Sequence, residues 1–400
     1  MSEAPSGPKG GPLAGLKVLE LARILAGPWA GQLLADLGAD VVKVERAGVG
    51  DDTRRWGPPF IEAADGSAGA AGYFHSTNRG KRSVQADFDA PEGRDFVRNL
   101  ATHADVVIEN FKVGDLAKRG LGYEDLKAIN PGLIYCSITG FGQDGPSAAE
   151  PGYDFLIQGL AGAMNLTGDP AGLPMKTGYP AADLFTGLYS VVGVLAALRA
   201  RETTGQGAHI DMALLDSQVA VLGYQAINYF ISGSAPQRMG NSHPTIVPYD
   251  VFPTSDGAVI VAVGNDGQFG RFCEALSLQE LAQDPMFAGN PDRVRNRADI
   301  MSRLSLGTAR FTSAELVAKL TALKVPVGPV NNMAEVFAHP QVVHRGMRHD
   351  LADPQAAGGL APGLRSPIVI DGVGQMADRA PPRLGEHDEE VRSDQSWTSG

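Results

Sequence analysis

Short solid runs of apolar residues alternate along this chain with stretches of helical spacing. "LKVLEL" (16–21) and "DVVKVE" (40–45) have the density of buried strands, and "WAGQLLADLGA" (29–39) between them has helical spacing. "ADVVIEN" (104–110) and "GLIYCSITG" (132–140) continue the strand pattern, with the helical "PEGRDFVRNLATH" (91–103) ahead of them. Strands alternating with helices predict a mainly parallel sheet, so residues 13–200 are expected to form a doubly wound, Rossmann-like α/β domain.

Further along, "TGYPAADLFTGLYSVVGVLAALRA" (177–200) predicts a long apolar helix that stops in the basic, Thr- and Gly-containing "RARETTGQG" (199–207). "AHIDMALLDSQVAVLGYQAINYFISG" (208–233) reads as a strand leading into one long helix, so 201–224 is expected to be a linker strand and helix. The Pro- and Gly-rich "SGSAPQRMGNSHPTIVPY" (232–249) leads into a second unit, where "AVIVAVGNDGQFGRFCEAL" (258–276) is again strand then helix. A smaller α/β domain is expected at 225–325, a return segment at 326–387 and a flexible acidic tail at 388–400. The Gly-, Pro- and Ser-rich start predicts a disordered lead-in over 1–12.

Charge and composition narrow the function classes. A net charge of −11 excludes a broad nucleic-acid surface and leaves room for local basic pockets. Cys136 and Cys273 are not spaced as metal ligands or as a disulfide framework, which points to a reducing, cytoplasmic compartment. The start has no apolar signal-like core, and the uncharged run 184–198 is shorter than the ~20 residues of a membrane span. A buried helix and no membrane contact are expected.

Several chemical motifs fail. The first strand–loop–helix, "LELARILAGPWAG", lacks G-x-G-x-x-G, although Glu45 stands at the end of the next strand where a dinucleotide site would use an acid. "NRGKRS" (78–83) departs from the phosphate-loop pattern at Arg82, leaving a basic turn or a seat for a ligand phosphate. There is no G-x-S-x-G and no H-E-x-x-H, and no metal site is expected; His339, His344 and His349 read as surface residues, and Cys136 as inert core.

Asp183 is the lone acid at the mouth of the long apolar helix, and two readings of it stay open. It could cap the helix, since Asp is a preferred N-cap residue. Alternatively, the helix N-terminus could keep it ionised as a nucleophile toward an activated acyl group. Ala181, Ala182 and Gly187 would leave space for a thioester, and backbone N–H groups there could stabilise an oxyanion.

The chain resembles the family III coenzyme A transferases (the CaiB/BaiF family), which include formyl-CoA:oxalate transferase, carnitine CoA-transferases and α-methylacyl-CoA racemase. Its carriers are "GLKVLELARILAGPWAGQLLADLGADVVKVER", "NRGKRSVQADF", "ADVVIENFKVGDLAKRGLGYEDL", "NPGLIYCSITGFGQDGP", "GYPAADLFTGLYSVVGVLAAL", "TGQGAHIDMALLDS", "VPVGPVNNM" and "PPRLGEH". The resemblance implies Asp183 as the nucleophile, and CoA contacts at Arg46, Asn110, Phe111, Lys118, Thr139, Gly140 and Phe141. It implies an interlocked homodimer, acyl-CoA and a carboxylic acid as substrates, coenzyme A thioester as the only cofactor-like group, and no permanently bound cofactor. Two departures narrow it. Tyr153 stands where racemases of the family carry His, and a phenol is a poor proton carrier near neutrality. Leu25 replaces the Gln of the oxalate enzymes, whose tetraglycine loop is also missing. "QRMGNSHPTIVPYDVFPTSDG" is most similar to succinyl-CoA:glutarate-type dicarboxylate transferases, making Arg238 and His243 candidates for the distal carboxylate of a diacid, with Leu25 and Tyr153 also on the substrate side. A formyl-CoA:oxalate-type transferase or an acyl-CoA racemase is the alternative.

Overall fold

The computed structural model describes residues 10–398. The described chain divides into two compact units: one takes the residues up to 163, 176–233 and those from 340 onward, and the other takes 164–175 and 234–339.

The first unit is organised on six strands: β1 (Lys17–Glu20), β2 (Asp40–Arg46), β3 (Lys81–Ala86), β4 (Val106–Glu109), β5 (Ile134–Thr139) and β6 (Ala208–Ala213). Their order across the sheet is β3-β2-β1-β4-β5-β6, and every pairing is parallel. Successive side chains in a strand point to opposite faces. Val18, Val41, Val106, Ile108, Ile134 and Cys136 accordingly join one buried cluster, while Leu19, Val42, Val107 and Tyr135 join another. Solid apolar runs are thus strands buried on both faces. The first cluster is covered by helices α1 (Ala26–Asp36) and α5 (Ala181–Thr204), the second by α2 (Pro91–His103) and α3 (Tyr123–Ile129). Between α3 and α5 lies the short α4 (Asp154–Leu160).

Strand β3 escapes the apolar pattern because Lys81, Arg82 and Ser83 open it, and all three are buried. Lys81 bonds Glu20 of β1, Arg79 just ahead of the strand pairs with Asp36 of α1, and Arg82 pairs with Asp40, Glu390 and Asp394. These cations are held by neighbouring carboxylates, so "NRGKRS" is a buried ion-pair hub and not a phosphate seat. Glu45 is likewise engaged, bidentate with Arg54 and hydrogen-bonded by Ser83.

Three further expectations are corrected. The expected flexible tail folds, through residue 398, into helices Asp388–Ser393 and Gln395–Thr398, because Val391 and Trp397 are fully buried and the Trp397 indole donates to Asp40. The expected single helix after β6 is two, α6 (Leu214–Ala220) and α7 (Tyr224–Ser232), broken where Gly223 takes a positive φ of 54°. Helix α5 is longer than its uncharged run: at 24 residues it is long and apolar enough, by length and composition, to cross a membrane. In the fold it packs on α1, β5, β6 and α6. The expected lead-in falls, through residue 9, outside the described residues.

The second unit is built on an antiparallel sheet of β7 (Tyr249–Pro253), β8 (Ala258–Ala262) and β9 (Val327–Pro329), with β8 central. Its own core includes Phe252, Val259, Val261, Phe269, Phe272, Leu304, Leu316 and Leu320. It differs in extent from the expected 225–325. Helix α7 belongs to the first unit, β9 is paired inside the second, and 164–175 joins it because Arg238 donates to the carbonyls of Asn165, Asp169 and Gly172.

Candidate active site

In a doubly wound sheet the strand order reverses between β1 and β4, and the loops leaving their carboxyl ends splay to opposite sides, opening a crevice. Here the loops are 21–25 after β1 and 110–115 after β4. Two cavities open at this edge. One, of about 280 Å³, is lined by Arg23, Ile24, Leu25, Asn110, Phe111 and Asp183, among others. The other, of about 300 Å³, is lined by Arg46, Asp87, Phe88, Phe111 and Arg119 among others.

The structure therefore gathers Asp183, Leu25, Asn110, Phe111, Thr139, Gly140 and Tyr153 around one cavity, with Arg46 and Phe111 on the adjoining one. Lys118 is exposed, pairs with Asp115 at 3.2 Å, and lines neither. Phe141 packs against the sheet core instead. Arg238 and His243 lie in the second unit and line neither cavity. Arg238 is taken up by the three carbonyls named above. His243 Nδ1 accepts the Thr245 N–H at 3.2 Å, and burial followed by Arg297 holds its imidazole below the ordinary range.

Asp183 sits in the first turn of α5, three residues beyond the capping position at Pro180. It does not cap the helix. Asp154 does: its Oδ1 accepts the N–H of Ala182 at 2.8 Å and that of Asp183 at 3.3 Å, while its Oδ2 accepts Gln158 at 2.8 Å. The Leu184 N–H goes to the Pro180 carbonyl. Amides expected to serve an oxyanion are thus already engaged. The helix end does not hold the Asp183 carboxyl in the ordinary carboxylate range. Burial, then the neighbouring Asp154 charge, pushes its carboxyl up to about 7. Tyr73 lies in the same field: burial and the charges of Asp183 and Asp154 push its phenol up to about 12, so it stays a neutral hydroxyl.

Close backbone approach shapes the wall. A Cβ on Gly140 would stand 2.6 Å from Gly152 Cα, and one on Gly187 would stand 2.7 Å from the Ala26 carbonyl oxygen. Both lie under any real contact, so Gly140 lets its loop close on the backbone at Gly152, and Gly187, one turn beyond Asp183, lets α5 close on the start of α1. Asn110 has a different task from the expected free amide: its Oδ1 accepts the Arg23 N–H at 2.9 Å and its Nδ2 donates to the Arg23 carbonyl at 2.6 Å. Nothing in the spacing marks Asp154, Tyr73 or Arg23; the adjacency of Asp154 to Tyr153 in "PGYD" is the one local signal.

A doubly wound sheet carrying, at its switch point, a carboxylate with no side-chain hydrogen bond among the described residues, beside an Arg-edged second cavity, has the layout common to ligand-binding α/β enzymes. The chain belongs to CoA-transferase family III, whose family model matches residues 13–388, and it is a CoA-transferase. It is similar to the succinate–glutarate CoA-transferase of Agrobacterium fabrum, 53% identical over 380 residues covering 95% of this chain and 94% of that one. It is also similar to the human succinyl-CoA:glutarate CoA-transferase, 42% identical over 377 residues covering 94% and 84%. A solved CaiB/BaiF family protein from Brucella suis superposes with a TM-score of 0.86 at 54% identity, covering 96% of this chain and all of that one.

Proposed function

We propose that the enzyme moves coenzyme A from succinyl-CoA, or a similar donor, to a free dicarboxylate through covalent acylation of Asp183. The carrying observation is the Asp183 carboxyl itself: half-buried in the switch-point cavity, without a side-chain hydrogen bond among the described residues, and pushed up to about 7. A carboxylate of that basicity is a stronger nucleophile than an ordinary one and is still substantially ionised near neutrality.

In the proposed sequence an Asp183 oxygen attacks the donor thioester carbonyl. The C–S bond breaks, leaving an aspartyl mixed anhydride and CoA thiolate. The thiolate attacks the Asp183 carbonyl, forming an enzyme thioester and releasing the donor acid. The acceptor carboxylate then attacks that thioester, thiolate leaves again, and its attack on the acceptor's anhydride carbonyl yields the new acyl-CoA and restores Asp183. Each thioester bond broken is matched by one formed, so neither ATP nor metal enters the balance. Arg46 would serve the phosphates of CoA, and the names of the relatives support a diacid acceptor.

A second copy of the chain is proposed to cover the outer faces of α4, α5 and α7, where Phe230 and Ile231 are 73% and 80% exposed. The two buried, unpaired cysteines support a cytoplasmic setting.

The test treats the enzyme with succinyl-CoA, quenches with hydroxylamine and maps peptides, with a panel of diacid acceptors read by mass spectrometry of the CoA products. Hydroxamate at Asp183 and acceptor-dependent exchange are expected. Hydrogen exchange at the acyl α-carbon in deuterated water without any acceptor would instead support a racemase.

A further inference from the structure

Ile24 has a φ of +73°. In that left-handed region a β-branched side chain crowds its own backbone, and such a residue persists only where its surroundings hold it. Here they do, atom by atom. Lys43 Nζ donates to the Ala22 carbonyl at 2.8 Å, and the Asn110 amide grips both backbone polar atoms of Arg23. The Ile24 N–H is directed at both oxygens of Asp51, at 3.3 and 3.2 Å.

Asp51 is fixed in turn. It is buried, stands 3.1 Å from Lys43, accepts the Thr53 N–H and hydroxyl at 3.0 and 2.8 Å, and its own N–H donates to Glu45 at 2.9 Å. Lys43 also donates to the buried Glu20 at 2.9 Å. Burial works against these charges, yet Lys43 and the Thr53 bonds hold Asp51 below the usual carboxylate range. The restrained segment matters because Arg23, Ile24 and Leu25 form one side of the Asp183 cavity, and the next residue, Ala26, meets Gly187 on α5.

We propose that Asp51 is a positioning residue for the transfer reaction, holding Ile24 left-handed so that residues 23–25 present a set wall to the acyl group at Asp183. It acts through Ile24: Asp51 also borders the Arg46 cavity but is buried there, with its carboxyl turned to Ile24, Lys43 and Thr53. The kinetic consequence rests on Asp183 being the site of acyl exchange; the backbone consequence does not.

Four proteins test it: wild type, Asp51→Ala, Ile24→Gly and the double variant. Glycine takes positive φ freely, so it should remove the need for the clamp. Asp51→Ala is expected to lower kcat/KM for the acceptor about tenfold or more, with free-CoA affinity by calorimetry changed less than about threefold. Adding Ile24→Gly should recover most of that loss relative to Ile24→Gly alone. In urea unfolding, Asp51→Ala should cost less in the Ile24→Gly background. Equal kinetic and unfolding losses in both backgrounds would overturn the proposal and make Asp51 an ordinary buried ion. If the wild type transfers no CoA, the functional reading fails, and the unfolding cycle still decides the clamp. Should Asp51→Ala not fold, Asp51→Asn replaces it in both backgrounds; its single amide oxygen predicts a smaller loss that Ile24→Gly again restores.

Discussion

Asp154 Oδ1 lies 3.3 Å from the Asp183 amide nitrogen and caps its helix, leaving the Asp183 carboxyl without that duty and beside a second negative charge. Activity is expected to rise with pH through about 7 as Asp183 loses its proton. Asp154→Asn keeps a capping oxygen and removes the charge, so the acid limb of the kcat/KM profile should move to lower pH, by up to about one unit. An unmoved limb would detach Asp183 from the pH dependence.

The raised carboxyl has a stability consequence of definite sign. Between the ordinary 3.8 and about 7 the folded protein keeps a proton the unfolded chain has lost, so Asp183 destabilises the fold progressively as pH rises through that window. Asp183→Asn should abolish transfer and yet stabilise the protein above pH ~7, by on the order of 1 kcal/mol or more, with the gain vanishing below pH ~4. Urea titrations of both proteins at several pH values check it.

Arg238→Ala is expected to act on stability. Losing donors to the carbonyls of Asn165, Asp169 and Gly172 should cost about 1 kcal/mol and make 164–175 more sensitive to protease. A raised KM for diacids at unchanged Tm would return Arg238 to the carboxylate-binding role that the sequence resemblance implies.

Arg46 and Lys118 should separate. Arg46 lines a cavity and its guanidinium is exposed, 4.0 Å from Asp52; Lys118 lines neither site cavity. Arg46→Gln is expected to raise KM for acyl-CoA about tenfold and to flatten its salt dependence, while Lys118→Gln changes it less than about threefold.

Phe230→Asp places a charge on the exposed face of α7. Light scattering should show the wild type as a dimer and the variant shifted toward monomer. A wild type that is monomeric at micromolar concentration would remove the proposed second copy.

Much of the fold is legible in the runs themselves. β1, β2, β4 and β5 are recognisable by runs of two or more apolar residues, because both sheet faces are covered, even though Glu20, Lys43 and Glu45 are buried among them; α2 spans Pro91–His103 as its pattern predicts. β3 is illegible by the same logic, since Lys81 and Arg82 are buried against carboxylates that no local window contains. The site divides similarly. Asp183, Leu25, Asn110, Phe111, Thr139, Gly140 and Tyr153 line one cavity, but the Asn110 amide is engaged by the Arg23 backbone and Arg238 by a loop of its own unit.

By itself the sequence determined where the apolar strands and helices of the parallel sheet lie, because burial writes a period into neighbouring residues, and its motifs determined which family the chain resembles. Only the tertiary structure decided the fate of each charge: that Asp154 and not Asp183 closes the helix, that Arg82 meets Asp40, Glu390 and Asp394, and that Ile24 is held left-handed by Asp51. Ion pairs and caps join atoms from distant stretches of chain, and a group's ionisation follows the burial and partners that folding supplies.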